Sequence, residues 1–538
     1  MARAARSARW RSCREDKALA ADHVIIGGGI NGLVCAAMLA KAGHEVLLVE
    51  RNAEVGGCMR SEEAILPGFT HDVMAATFVL FLTGPAFGEL GEDLKRHGLE
   101  FANTPHPTGV LRPDGSSAVL STDRAANVQA FNALSPGDGD RHASAVGGIE
   151  ANAPLLFGLL GAELWSRATV KLLAREAWRR GPRGLADYLG QALAPARGWL
   201  ENSYRSSTIQ ALFAPWTLHC GLSPEDTYSG QMAKIVAFAL EAAGAPVARG
   251  GAGKAAAAFR NLIEEKGGKV RTNAEVERIL VRNNRAAGVR LRGGEEILTQ
   301  NVIASVAARH LYGPLLGEAA PKQAREAAQG FRHGRGNFQL NYALSRPPRW
   351  AAKGLEKVAL IHLTDGIDAV SKSHNEATRG KLPETPTLCV GQPAALDPSR
   401  APDGQATLWI QVPDAPRELK GDAAGTIATT GRWDEATREA FADRIEAILS
   451  GHIEGFAETV LGRRAYSPAD LESMNVNLVG GDPYGGACTV DQFFLWRGVP
   501  GSVNHRTPVK GLYHIGASTH PGPGLSGGSG YLVAKELS

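Results

Sequence analysis

The chain has 538 residues, enough for two or three domains and a large buried core. At 44% hydrophobic and 21% charged it has the composition of a soluble globular protein, and no apolar run reaches the roughly 18 residues of a membrane span. A net charge of +3, from 58 basic and 55 acidic residues, gives no reason to expect a nucleic-acid partner.

The six cysteines are scattered and contain no C-x-x-C pair. That argues against a disulfide framework, a zinc site and a dithiol reductase, and it points to a reducing compartment, hence a cytoplasmic protein with or without membrane association. Residues 1–20 carry Arg3, Arg6, Arg9, Arg11 and Arg14 around no apolar segment. This is not a secretory signal; it reads as a disordered basic lead-in, with an upstream start or a transit-like presequence as alternatives.

Residues 22–50 read as strand, glycine turn, helix, strand and acid. Val24 to Ile26 form a short buried strand, and Gly27, Gly29 and Gly32 follow at the G-x-G-x-x-G spacing. The first glycine permits the tight turn, the second lets backbone approach a pyrophosphate, and the third lets the helix pack on the strand. The helix opens at Ile30 and Asn31 and runs to about Ala42, with its free N–H groups aimed at phosphates. Val46 to Val49 form the next strand, and Glu50 at its end is placed to accept ribose hydroxyls. This predicts a dinucleotide fold, and the spacing alone does not choose between FAD and NAD. Beyond Arg51, the pair Gly56-Gly57 can bring backbone N–H groups to the diphosphate from the other side, where Arg60 would neutralise phosphate charge.

Residues 109–121 predict a hairpin, and the chain from 123 to 230 is mostly helical. Within it, Leu155 to Arg180 mixes leucines and tryptophans with five basic residues. This is either a helix lying on a membrane surface and collecting an apolar substrate, or a core helix with a solvated basic face. Arg249-Gly-Gly-Ala-Gly-Lys254 is not a Walker A loop, because Ala255 stands where Ser or Thr should follow the lysine. A helix over 254–266 and strands over 269–305 return to the nucleotide-domain pattern, so that domain is expected to be discontinuous. Strands at 358–363, 387–391 and 407–412 and a helix at 435–449 suggest a separate α+β cap. At the C-terminal end a strand at 512–515 leads into a glycine-rich turn, which opens a helix near Leu525. A helix N-terminus of small residues suits the negative charge at the pyrimidine end of a reduced flavin.

Four stretches together resemble the phytoene desaturase-related FAD oxidoreductases, within them the branch of pyridine nucleotide-disulfide oxidoreductase domain-containing protein 2. They are residues 22–50, Glu50 to Ser61, Gly250 to Val276 and Gly511 to Gly530; Leu396 to Pro402 and Asp491-Gln-Phe-Phe add to the likeness. The resemblance implies an α/β plus α+β protein with a discontinuous, Rossmann-like FAD domain of the glutathione-reductase type. That domain would comprise 21–105, 235–310 and 480–538, with a substrate or cap domain at 106–234 and 311–479. It implies that Gly27, Gly29, Ile30, Asn31, Gly32 and Gly57 hold the diphosphate and that Glu50 and Arg51 flank the ribose. Arg60 and Ser61 would flank the phosphates and ring, the Val276 backbone would meet the adenine, and Gly516, Gly524, Leu525 and Ser526 would meet the flavin. Cys58 stands where flavin amine oxidases place Arg, and no aromatic pair is evident near His520-Pro521, so an amine oxidase is disfavoured.

The implied reaction removes or rearranges hydride and proton on a hydrophobic small molecule. A flavin oxidase acting on C–N or C–O bonds, or a catalytically quiet FAD protein acting through a partner, stays open beside it. Candidate proton handlers are His520, His219, Asp491 and His71. Three have a structural alternative: His520 as an imidazole satisfying loop carbonyls, His219 as a core residue, Asp491 as a helix cap. No metal is expected, and a homo-oligomer and a peripheral membrane contact are both open.

Overall fold

The computed structural model describes residues 20–538, so the basic lead-in expected over residues 1–20 lies almost wholly outside the described residues. One seven-stranded sheet is assembled from three separated stretches of chain. The strand Ala21–Ile26 pairs in parallel with Val46–Val49 on one side and with Glu296–Ser305 on the other. Lys269–Arg271 extends the parallel array beyond Val46–Val49, and Leu512–Ile515 pairs with residues 302–305. Val276–Arg282 and Arg285–Leu291 add an antiparallel flap. The expected discontinuous α/β fold is therefore present.

Three helices cover one face of this sheet. Ile30–Lys41 lies in the middle, and its Leu33, Val34 and Ala37 are fully buried against Phe259 and Leu262 of Ala252–Glu265 and Val533 of Gly528–Leu537.

The second seven-stranded sheet runs in the order 460–466, 336–344, 406–415, 388–391, 360–363, 108–111, 117–120. The hairpin expected at 109–121 is its edge, joined in parallel to Leu360–Leu363. Period-two alternation divides the residues of Gly336–Leu344 between two faces. Phe338, Leu340, Tyr342 and Leu344 pack under Phe441, Ile445 and Leu449 of the helix Glu435–His452. The opposite face carries Asn337, Gln339 and Asn341, all equally buried.

Two helical expectations need correction. Leu155 to Arg180 is not one helix. Asp138–Leu160 ends at Gly161, and a new helical run, Arg167–Leu193, starts where the Ser166 hydroxyl accepts from the Thr169 N–H and is itself broken at Gly181, whose φ of +66° and ψ of 173° are not helical. By length and composition Asp138–Leu160 is apolar enough to cross a membrane, through its alanines and glycines rather than an unbroken apolar run. The C-terminal helix begins at Gly528, not near Leu525. Gly524 and Gly527 take φ of +111° and +70°, which keeps the turn open, and the Ser526 hydroxyl accepts from the Gly528 N–H.

Candidate functional site

The glycine spacing has a steric cause at two of its three positions. A Cβ on Gly32 would sit 2.1 Å from the carbonyl oxygen of Gly27, so only glycine lets the helix Ile30–Lys41 close onto the turn. A Cβ on Gly27 would sit 2.7 Å from the Ser305 carbonyl oxygen of the neighbouring strand. Gly29 differs: nothing lies within 4 Å of its Cβ position. Its open side adjoins a helix start with no side-chain cap, and the first N–H groups of such a helix lack intrahelical partners. The arrangement is an anion cradle.

Glu50 is buried at the end of its strand. Its Oε2 accepts from the Gly28 N–H at 2.8 Å and its Oε1 from the Asn52 N–H at 2.9 Å. Each carboxylate oxygen keeps a further acceptor position, so the acid is oriented without being used up. The second glycine pair meets the first backbone to backbone. The Gly56 N–H donates to the Gly28 carbonyl at 2.7 Å, and a Cβ on Gly57 would lie 3.0 Å from the Gly29 Cα.

The C-terminal turn closes the other side. The Gly516 N–H donates to Ser529 Oγ at 2.9 Å, and that hydroxyl donates to Asn31 Oδ1 at 2.8 Å. A Cβ on Gly530 would stand 1.9 Å from the Asn31 carbonyl oxygen. The first turns of helices Ile30–Lys41 and Gly528–Leu537 are thereby in backbone contact. Leu525 packs against the same core, and Gly524 lies against Leu80. The structure thus groups Gly27, Gly29, Ile30, Asn31, Gly32, Glu50, Gly57 and Gly516. Val276 follows closely on Ala274, whose N–H donates to the Glu50 carbonyl. Arg51 and Arg60 are exposed, and Arg60 pairs with Glu62 at 3.1 Å.

Ser61 is held differently from the expectation that it faces phosphates. Its hydroxyl donates to Asp72 at 2.5 Å and accepts from the Gly253 N–H at 3.0 Å. Asp72 also accepts from the Ala252 N–H at 2.8 Å, and the fully buried Arg400 bridges Asp72 and Asp397, 3.1 Å from each. Asp397 in turn accepts from the Gly250 N–H at 2.7 Å. This network locks the Arg249-to-Lys254 loop to the strand behind Ser61. Of its members, Asp397 and Arg400 are marked in sequence only by their place in Leu396 to Pro402, and Asp72 carries no signal; Ser529, outside this network, is marked only by its place in Gly511 to Gly530.

The four proton-handling candidates separate clearly. His520 is buried, with Nε2 3.0 Å from the Leu159 carbonyl oxygen, and burial lowers its pKa to about 4. His219 shares its Nε2 with His362 Nε2 at 2.9 Å, and burial lowers it to about 4 as well. Asp491 lies in the short 3-10 turn Val490–Gln492, not at a helix cap, and its exposed carboxylate pairs with Arg332. His71 alone of the four is buried with both ring nitrogens lacking a protein partner. Burial holds it at about 4, in the neutral form, in the strand His71–Asp72 that pairs with Ser61 and Glu62. Cys389 joins His219 and His362 in a group whose donor atoms all lie within 4.8 Å of one another. The buried His362 Nδ1, however, lacks the orienting partner that metal-bound imidazoles have.

A cavity of about 410 Å³ opens elsewhere. Arg335, Arg417 and Lys420 face Asp226 and Glu418 across it, and the fully buried Asp414 pairs with Arg335 from behind. Its charges balance, and it is not the apolar pocket that the resemblance implies.

Residues 25–92 match the model of the NAD(P)-binding Rossmann-like domain. Over 96% of the chain and 94% of the relative, the sequence is 29% identical to pyridine nucleotide-disulfide oxidoreductase domain-containing protein 2 of Rattus norvegicus. It is 27% identical to the neurosporene-forming phytoene desaturase of Rhodobacter capsulatus, covering 96% of this chain and 93% of that one. Over nearly its whole length the chain is thus similar to oxidoreductases that include phytoene desaturases. The chain is an enzyme of the oxidoreductase class. In fold it is similar to an oxidoreductase from Methanosarcina mazei, with a TM-score of 0.60 and 16% identity over 96% of this chain and all of that one.

Proposed function

We propose that the chain binds FAD and takes hydride and proton from a small hydrophobic molecule, as a dehydrogenase or desaturase. The observation that carries this reading is the joint at Asn31, Ser529 and Gly516. A second glycine turn and a second helix N-terminus stand beside the G-x-G-x-x-G cradle, which is more than a lone nucleotide loop needs and suits a cofactor with two ends to hold.

The residues present fit that group. The open side of Gly29 and the uncapped helix start suit a diphosphate, and the oriented Glu50 carboxylate suits a ribose. The N-terminus of Gly528–Leu537 suits negative charge at a ring edge. FAD, when bound, supplies the hydride acceptor. The chain's own part is to hold and orient, to exclude water, and to take up a proton. His71 suits the uptake of that proton, being neutral, buried and unpartnered, while His520 and His219 are engaged with a carbonyl and with another imidazole. The five described cysteines are unpaired, which fits a reducing compartment such as the cytoplasm.

Purified protein should be yellow, release FAD on acid denaturation, and bleach anaerobically with an apolar alkene or polyene that can lose vicinal hydrogens. A colourless protein that cannot be reconstituted with FAD would overturn the cofactor assignment. A flavin that bleaches only with amines or alcohols, releasing peroxide in air, would move the reaction to the oxidase class.

A further inference from the structure

Three metal-ligating side chains meet where a short helix lies on the second sheet. His362 and Cys389 stand directly opposite each other on the antiparallel strands Leu360–Leu363 and Leu388–Gly391, so their side chains leave the sheet on the same face. Both are fully buried. The helix Trp216–His219 packs on that face through Trp216 and Leu218 and ends in His219. His219 Nε2 is 2.9 Å from His362 Nε2, and with Cys389 Sγ every donor atom lies within 4.8 Å of the others. Donors bound to one ion at about 2.0–2.3 Å lie roughly 3.5 Å apart, so torsional adjustments of about 1 Å complete the set. His362 Nδ1 has no hydrogen-bonding partner, but packing orients the ring. Trp216 meets it at 90° with centroids 4.9 Å apart, and the same indole covers His219 at 4.6 Å.

The charge of the site selects the ion. Burial lowers both imidazoles and raises the thiol, and among the described residues no carboxylate acts on any of the three. The donors are therefore two neutral imidazoles and, once its proton has left, one thiolate. A monovalent ion makes that set neutral, whereas a divalent ion leaves an uncompensated positive charge in the core, which is costly. Thiolate and imidazole ligands suit copper(I), and the neighbouring indole suits a cation. The described cysteines are all unpaired, which fits a compartment reducing enough to keep copper in that state.

We propose that His219, His362 and Cys389 bind one copper(I) ion, which ties the helix Trp216–His219 to the second sheet. Binding forms two Cu–N bonds and one Cu–S bond and releases the thiol proton to solvent; no electron is transferred. This stands independently of the flavin reading, since none of the three residues belongs to the glycine cradle.

The experiment is anaerobic titration of the full-length protein with copper(I), buffered by the chelator bicinchoninate. One copper per chain should be held against the chelator, and X-ray absorption at the copper edge should show one sulfur and two nitrogen neighbours. Cys389→Ser and His219→Gln should each raise the Kd for copper(I) at least about a hundredfold, beyond the roughly 10–100-fold that an outer-shell change costs. Cys220→Ser, next to His219 in sequence, should leave the Kd within a few fold. Bound copper should raise the thermal midpoint of the unsubstituted chain and leave that of Cys389→Ser unchanged. If a variant fails to fold, the absorption spectrum of the unsubstituted protein still decides, because it reads the ligands directly. Substoichiometric copper, a shell without sulfur, or an equal loss of affinity in Cys220→Ser would overturn the proposal. So would displacement of the copper by excess zinc(II), since charge balance would then not select the ion.

Discussion

The Ser529 hydroxyl reaches the side-chain oxygen of Asn31 at 2.8 Å across 498 residues of chain. The hydroxyl oxygen also accepts from the Gly516 N–H, so one buried hydroxyl holds the helix Ile30–Lys41, the helix Gly528–Leu537 and the turn that follows the strand Leu512–Ile515. Ser529→Ala should cost about 1–3 kcal/mol, because it leaves a buried N–H without an acceptor. Gly530→Ala should cost at least as much, since its Cβ would lie 1.9 Å from the Asn31 carbonyl oxygen and the helices would have to part. Thermal midpoints and the flavin-to-protein absorbance ratio should fall together for both. A Gly530→Ala protein with unchanged midpoint and full flavin content would show that the two helix starts are not in rigid contact.

Glu50 offers a sharper division between fold and cofactor. Its two oxygens face two backbone donors, from Gly28 and Asn52. In Glu50→Gln one of them becomes an amide NH₂ opposed to an N–H, and the charge that a ribose diol would meet is lost. The expected loss is about 1.5–3 kcal/mol of FAD binding, a tenfold or greater rise in Kd, from the loss of charged hydrogen bonds. Fluorescence titration of the apoprotein reads it. An unchanged Kd would remove Glu50 from the cofactor site.

How much of this is legible in the sequence depends on whether the cause is local. Gly32 and Gly57 announce themselves because each lacks room for a Cβ within one loop pair, and a spacing rule captures that, whereas the clash that reserves Gly27 comes from Ser305 of a distant strand. The sheet strand Gly336–Leu344 gives no such signal: Asn337, Gln339 and Asn341 are buried as deeply as Phe338 and Leu340 between them, so polar and apolar do not mean out and in. Arg400 and Asp72 meet across 328 residues, which no spacing rule reaches. Leu155 to Arg180 misleads because composition runs on through Gly161 and Ser166, where backbone geometry ends one helix and caps the next.

The buried Arg400 should be among the least replaceable residues outside the glycine loops. It is fully buried between two carboxylates and the Ala248 carbonyl. Removing one partner of such a group leaves uncompensated buried charge, typically about 3–5 kcal/mol. Arg400→Met should therefore express poorly or unfold at a much lower temperature. Arg60→Met, whose partner Glu62 is at the surface, should shift stability by less than about 1 kcal/mol. Equal midpoints for the two variants would refute the assignment of a structural network behind Ser61.

Acid should destabilise the protein through its histidines. His23, His71, His219, His514 and His520 are each lowered from 6.5 to about 4, in every case chiefly by burial. A depressed imidazole is neutral in the folded state while the unfolded chain takes up the proton. The stability it contributes is complete above about pH 6.5 and is lost as pH falls through about 4. Denaturant midpoints should accordingly drop steeply between these values. In His520→Gln, whose amide can still donate to the Leu159 carbonyl, the drop should be shallower by about one proton. An identical pH slope would mean that His520 is protonated in the folded protein.

The last prediction separates the candidates for chemistry. His71 and His520 are both buried and both held near pKa 4, so titration does not distinguish them; their hydrogen bonds do. His520 Nε2 is engaged with Leu159, whereas neither nitrogen of His71 has a protein partner. A group that takes a proton from substrate must have a lone pair to offer in the site, and positioned acid–base groups contribute about 10²–10⁴-fold to rate. His71→Asn should retain FAD and slow anaerobic flavin reduction at least about a hundredfold. His520→Gln should leave the reduction rate within a few fold while lowering the thermal midpoint. The opposite outcome, with slow reduction in His520→Gln and normal reduction in His71→Asn, would return the proton to the C-terminal turn and make the unpartnered His71 a feature of packing alone.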